Sequence, residues 1–453
     1  MARFLFDHAL LPEGWAERVG IDVDDGTIVD VRPGATADDR ERIAGIALPG
    51  LPNLHSHTFQ RAMAGLAETR GPASDNFWSW REVMYRFLGA LTPDDVETVA
   101  AYAFMEMLEG GFTSVAEFHY LHHDRDGRPF AALGEMAARI AAAAAETGIG
   151  LTLLPSFYAY GGFGAAPAHA GQRRFLNDPD RFLRLVEEAR HAIGALPDAV
   201  VGMAPHSLRA VTPATLRAVL DGHTSGPIHI HAAEQVREVE DCVAWSGERP
   251  VAWLLSHAAV DDRWCLIHAT HMSADESRRL AASGAVAGLC PLTEANLGDG
   301  IFDAPTYVAA RGRFGIGTDS NIEITAPGEL KQLEYHQRLA TLSRNVLSRT
   351  EGESTGVRLY VDALSGGAQA LGRRIGCLAK GFRADLVVLD ASHPDLIAVT
   401  GDRWIDAYTF VTGRSAIASV LVGGERVVER GRHRARSSLQ QRYTSVLKRL
   451  AQS

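Results

Sequence analysis

From Thr113 to Thr318 the chain alternates between short, uniformly apolar runs and longer stretches with helical spacing. The runs are Thr113–Phe118, Gly150–Ser156, Val200–Pro205, Ile228–Ala232, Cys265–Ala269, Val286–Cys290 and Phe314–Thr318. An earlier run, Ile46–Leu54, makes eight. Parallel strands covered on both faces read as continuous apolar runs. Eight of them with helices between predict an α/β fold, a closed (β/α)₈ TIM barrel. Ala131–Thr147, Arg181–Leu196 and Pro213–Leu220 carry helical patterns.

The two ends read differently. Residues 1–48 suggest short strands and turns, with Asp24-Asp25-Gly26 as a turn signal. Asp385–Asp390 reads as a strand, and Ser419–Gly424 leads a hairpin into Glu425–Val428. The expected organisation is one small β-sandwich domain built from both termini, residues 1–48 and 376–453 with a terminal helix, around a barrel over 49–375.

A chain of 453 residues suits one large barrel and an accessory domain. A net charge of -10 gives no broad electrostatic reason to bind nucleic acid or an anionic membrane. Cys242, Cys265, Cys290 and Cys377 are widely spaced, which argues for free thiols rather than disulfides or a Cys-rich metal site. The N-terminus meets charge before any long apolar core, and no stretch is long and apolar enough to span a bilayer. The expectation is a cytoplasmic protein acting on a small molecule.

Titratable residues gather at the ends of the apolar runs: His55 and His57, Glu117 and His119, His206, His229 with His231 and Glu234, His268, and Asp319. The C-terminal strand ends of such barrels form the active-site face. His55-Ser56-His57 sets two imidazoles on one side of a strand. Alone that spacing is a weak signal. With His231 and Asp319 it makes a set of three imidazoles and a carboxylate, suited to one Zn²⁺ with an open position for water. His229 reads as a hydrogen-bonded core histidine. His119, His122 and His123 read as a solvated loop rather than a second metal site. Trp78 and Trp80 suit packing or substrate contact equally.

These residues carry a resemblance. Leu48 to His57 resembles the opening metal motif of the amidohydrolase superfamily, and His231-Ala232-Ala233-Glu234 its fifth-strand deaminase motif. His268, Gly317-Thr318-Asp319-Ser320 and Gly376–Leu386 match its later signatures. The resemblance implies the barrel with a small β-sandwich. Ala204-Pro205-His206-Ser207 lacks the lysine of dinuclear members, which implies a mononuclear site.

Within the superfamily the chain resembles the formimidoylglutamate deiminases of histidine degradation. The carriers are His57–Met63, Phe77–Arg81, Glu117–Tyr120 and Ala204–Arg209. The resemblance implies hydrolysis of N-formimidoyl-L-glutamate to N-formyl-L-glutamate and ammonia. By position it makes Gln60, Arg81, Tyr120, His206 and Arg209 substrate-binding residues. Arginine supplies the charge and directional donors that a dicarboxylate needs. The expected roles are Asp319 accepting a proton from water, His268 hydrogen-bonding the nucleophile or the developing oxygen, and Glu234 moving a proton to the departing nitrogen. The alternatives are a related deaminase of guanine, another heterocycle or a guanidino compound, and an inactive barrel scaffold. The intact ligand set argues against the scaffold. A homodimer is expected, with the segment Gln60–Leu91 near its interface.

Overall fold

The computed structural model describes residues 1–37, 39–70, 75–223 and 225–452. Two of its sheets are wholly parallel. One orders Leu51–Ser56, Phe112–His119, Gly150–Phe157 and Val200–Val201, with Ala204–Pro205 beside the third of these. The other orders Ile228–Ala232, Trp264–His268, Val286–Leu289 and Arg313–Ile316. Isolated parallel bridges join them at both seams, Met203 to Ile228 and Ser207 to His231 on one side and Ser56 to Asp319 on the other. The expected barrel is thus seen as two parallel arcs, without a continuous ladder closing them. Nearly every strand residue in both arcs is buried, as the continuous apolar runs require.

Two of the expected strands are divided. The run Ile46–Leu54 breaks at Gly50. Its first half belongs to Glu41–Pro49, which pairs antiparallel with Leu386–Leu389 in the terminal sheet. Only Leu51–Ser56 enters the parallel arc. The backbone changes sheets where Gly50 N–H donates to the Asp385 carbonyl at 2.9 Å. A Cβ there would meet Thr113 Cγ2 at 2.2 Å, so only glycine fits. The run Val200–Pro205 breaks likewise at Gly202, where a Cβ would lie 2.4 Å from the Pro227 carbonyl oxygen.

The termini build one eight-stranded sheet, from Arg432–His433 at one edge to Thr27–Arg32 at the other. It curls over its own core of Phe6, Ile21, Ile28, Leu386 and Leu421. Thr27 bridges back to Arg383. The expected β domain is present; its ladders run as one curled sheet because Glu41–Pro49 joins the N-terminal strands to Leu386–Leu389.

Helices cover the arcs. Glu135–Thr147 begins four residues later than its pattern suggests, after Gly134, a poor helix former. Pro179–Ile193 begins earlier, with Pro179 in its first turn and Asp178 accepting the Arg181 N–H. The terminal helix Arg436–Leu450 stacks Tyr443 on Tyr102 of Pro93–Glu109 at 3.9 Å. No described helix is long and apolar enough to cross a membrane.

Candidate active site

His55 lies in Leu51–Ser56 and His57 one residue beyond it. His231 lies in Ile228–Ala232, and Asp319 follows Arg313–Ile316. Their ligand atoms all fall within 4.8 Å of one another. His55 Nε2 is 3.2 Å from His231 Nε2, and His57 Nε2 is 3.4 Å from it. Asp319 Oδ1 is 3.3 Å from His55 Nε2 and 3.4 Å from His57 Nε2.

The surroundings set the donor atoms of this cluster. His57 Nδ1 donates to the Phe118 carbonyl at 2.8 Å, and His231 Nδ1 to the His206 carbonyl at 2.9 Å. Both protons therefore sit on Nδ1, and both Nε2 lone pairs face inward. Burial holds His55, His57 and His231 below the usual imidazole range, so the rings stay neutral. Facing lone pairs repel unless a cation lies between them. Three neutral imidazoles and a carboxylate oxygen are the donor set of a divalent metal. The residues present fit one.

Beside this cluster stand the groups for proton transfer. His268 Nε2 is 3.8 Å from Glu234 Oε1 and 3.9 Å from Asp319 Oδ2. Its Nδ1 is 3.2 Å from Glu294 Oε1. Burial works against charge on His268, but Glu234, Glu294 and Asp319 outweigh it and raise its pKa. Burial pushes the Glu234 carboxyl upward against the pull of His268 and Arg209. His268 and Asp319 both adopt left-handed backbone, at φ 67° and 43°. Such conformations in non-glycine residues cost energy and gather at functional sites.

One pocket is lined by His57, His231, Asp319, Glu234 and His268 together with Gln60, Arg81, Tyr120, His206 and Arg209. His55 sits behind them, fully buried. Gln60 Nε2 donates to Tyr120 Oη at 2.9 Å, and Gln60 Oε1 is buried without a partner among the described residues. Arg209 is buried, with Nη2 3.6 Å from Glu234 Oε2 and 4.0 Å from Glu238 Oε2. Its Nη1 has no partner among the described residues. Arg81 is half-buried, its guanidinium 4.9 Å from the Trp78 ring and 5.4 Å from the Tyr85 ring. Trp80 lines the pocket; Trp78 packs against Arg81, Arg209 and Arg237. Residues 71–74 of the segment Gln60–Leu91 lie outside the described residues.

One expectation fails. His119, His122 and His123 are buried, not a solvated loop. The segment around Arg174 folds over them: its carbonyl accepts the His122 and His123 N–H groups at 3.1 and 3.0 Å. His122 Nε2 donates to the Ser156 carbonyl at 2.8 Å, and His123 Nε2 to the Leu176 carbonyl at 3.0 Å. Among the described residues no convergent metal-ligand set includes them. His229 is a core histidine, bonded through Nε2 to the Ala370 carbonyl at 2.8 Å.

Sequence reasoning missed Glu294, Tyr158 and Tyr85. Glu294 stands four residues after Cys290, whose N–H its Oε1 accepts at 2.9 Å. Cys290, Glu294 and His268 also converge, but the geometry spends Glu294 Oε1 on those two hydrogen bonds. Tyr158 directly follows the strand Gly150–Phe157. The strand-end rule that found the other residues covers it too.

The amidohydrolase family model matches residues 46–427, and the model described as "Formimidoylglutamate deiminase HutF, N-terminal domain" matches residues 4–44. A formimidoylglutamate deiminase of Pseudomonas aeruginosa is 50% identical over 449 residues, covering 99% of each chain. An 8-oxoguanine deaminase of the same organism is 28% identical, covering 89% of this chain and 95% of its own. The crystal structure of an amidohydrolase from Brucella melitensis superposes with a TM-score of 0.96 at 53% identity, covering 100% of both chains. A zinc-bound adenosine deaminase from Xanthomonas campestris, at 22% identity, shares the fold with a TM-score of 0.82.

Proposed function

The chain belongs to the amidohydrolase family, and from that membership we propose that it hydrolyses N-formimidoyl-L-glutamate to N-formyl-L-glutamate and ammonia. The observation that carries this reading is a pair of buried polar atoms on pocket residues, Arg209 Nη1 and Gln60 Oε1, that have no partner among the described residues. Leaving either unpaired costs stability, so a ligand that bonds both is favoured. A carboxylate suits the guanidinium, and the substrate's N–H suits the amide oxygen. Arg81 adds a second cation for the second carboxylate. Tyr120 and His206 offer further hydrogen bonds to the amino-acid part.

His55, His57, His231 and Asp319 would hold one zinc ion per chain, which supplies the Lewis acidity that makes water nucleophilic at neutral pH. Asp319 divides its oxygens: Oδ1 faces the imidazoles, while Oδ2 faces His268 and is free to take a proton from the attacking water. Addition to the amidine carbon gives a tetrahedral adduct bearing an oxygen, the terminal nitrogen and the glutamate nitrogen. His268 donates a hydrogen bond to that oxygen. Glu234, kept protonatable by burial, gives its proton to the terminal nitrogen. From the cationic amidine this makes an ammonium leaving group: the C–N bond breaks, ammonia leaves, and the adduct's hydroxyl proton returns to the Glu234 carboxylate as the formyl carbonyl forms.

The family also implies that the two arcs are halves of one closed (β/α)₈ barrel over residues 49–375, with the terminal segments as a β-sandwich. The bridges at both seams support this. A cytoplasmic homodimer suits a metabolic enzyme of this kind. The test is ammonia release across formimidoyl-glutamate, formimidoyl-aspartate, guanine and guanidino acids. Turnover of formimidoyl-glutamate above the rest is expected. Turnover of guanine alone would refute the substrate while leaving the family intact.

A further inference from the structure

The pocket wall holds a tyrosine hydroxyl whose proton direction is set by its neighbours. Tyr158 is buried and lines the pocket beside His206, with ring centroids 4.7 Å apart. Gln172 Nε2 lies 2.6 Å from Tyr158 Oη. Gln172 is itself fully buried, and its Oε1 accepts the backbone N–H of His169 at 3.0 Å. That second bond fixes the amide orientation: Oε1 must be the acceptor, so Nε2 must be the donor. The Tyr158 hydroxyl therefore accepts from Gln172. No described residue accepts its own proton.

A buried hydroxyl that already accepts one N–H, and whose own proton has no acceptor among the described residues, is placed to donate to an anion. Its neighbours along the pocket include Arg209 and Arg81, the two cations assigned to carboxylates. We propose that Tyr158, oriented by Gln172, donates a hydrogen bond to one carboxylate of the substrate and so helps select a dicarboxylic amidine. The assignment rests on the substrate reading above. Tyr158 is a specificity residue; Gln172 is a positioning residue acting through it.

The test is steady-state kinetics of the metal-loaded Tyr158→Phe enzyme on three amidines. These are N-formimidoyl-glutamate, N-formimidoyl-4-aminobutanoate, which lacks the α-carboxylate, and N-formimidoyl-2-aminobutanoate, which lacks the side-chain carboxylate. On formimidoyl-glutamate KM should rise about tenfold with kcat within about twofold, the scale of one hydrogen bond to a charged group. On one analogue, the one missing the bonded carboxylate, the penalty should vanish. Gln172→Met should show the same analogue pattern with a smaller loss. Equal losses on all three amidines, or a loss in kcat alone, would overturn the assignment. So would Gln172→Met kinetics like wild type beside an impaired Tyr158→Phe. A wild type active on formimidoyl-glutamate and matched by Tyr158→Phe would overturn this assignment alone. A wild type inactive on all three would overturn the substrate reading and this assignment with it.

Discussion

His268 Nδ1 and Glu294 Oε1 lie 3.2 Å apart in a fully buried setting, and the same oxygen accepts the Cys290 N–H at 2.9 Å. Glu294 thus fixes which way the His268 ring faces and supports positive charge on it. Its Nε2 is left to serve the reaction beside Glu234 and Asp319. Glu294→Gln keeps the size but removes the charge. We expect kcat to fall about tenfold or more, one tenfold step per 1.36 kcal/mol of lost transition-state stabilisation, with KM little changed. Metal content should be unchanged, because Glu294 is outside the four-residue ligand set. Unaltered kcat in a folded, metal-loaded variant would remove Glu294 from this role.

The metal and Glu234 separate cleanly. Chelation should abolish activity, and zinc should restore it in proportion to one ion per chain. Glu234→Gln should retain the metal while kcat falls about 10²–10⁴-fold, the scale of general acid–base catalysis. Metal analysis alongside kinetics checks both. An active preparation without stoichiometric metal would defeat the first expectation, and near-normal turnover the second.

The cluster of His55, His57, His231 and Asp319 was legible because strand periodicity and strand-end position act locally. Ile228–Ala232 coincides with its strand to the residue, and His231 follows from it. Ile46–Leu54 was not divided correctly because an apolar run is silent about which sheet it enters. The break at Gly50 depends on Thr113, sixty-odd residues away, and on Asp385 beyond it. The burial of His122 and His123 was equally hidden, since the covering carbonyl belongs to Arg174. Hydrogen-bond direction at Tyr158 needs three residues brought together by folding, so no local pattern announces it.

Two buried histidines should cost stability in mild acid. Burial lowers His119 and His223 to about 4 from an ordinary 6.5. A base whose folded pKa is depressed binds fewer protons folded than unfolded between those values. Its contribution to stability is full above about pH 6.5 and is lost as pH falls toward 4. The share of Tm these two groups supply should therefore be lost from pH 7.5 to pH 5, while buried Glu117, raised to about 7, works the other way. His223 caps the helix Pro213–Gly222, remote in sequence from the metal ligands, so His223→Gln tests the cause. The variant should show a shallower Tm decline over that range. A slope identical to wild type would show that His223 is not among the groups responsible.

Arg209 combines two duties, and its replacement should reveal both. Its Nη1 is unpartnered, while its Nη2 faces Glu234 and Glu238. Arg209→Met keeps an unbranched apolar side chain but removes the cation, which lies 5.7 Å from the Phe77 ring and 5.6 Å from the Trp78 ring. The lost carboxylate contact should lower kcat/KM for formimidoyl-glutamate at least about tenfold, since charge-assisted bonds are worth about 1.5–3 kcal/mol. Removing the cation also takes away one of the two positive neighbours of Glu234 and leaves His268 alone against Glu238, which favours the protonated form of Glu234. The alkaline limb of the kcat profile should therefore shift upward in pH. Metal content should stay unchanged, because Arg209 is not among the ligands. A loss confined to KM with an unmoved profile would show that Arg209 only anchors substrate. A loss with metal depletion would show instead that the site had collapsed.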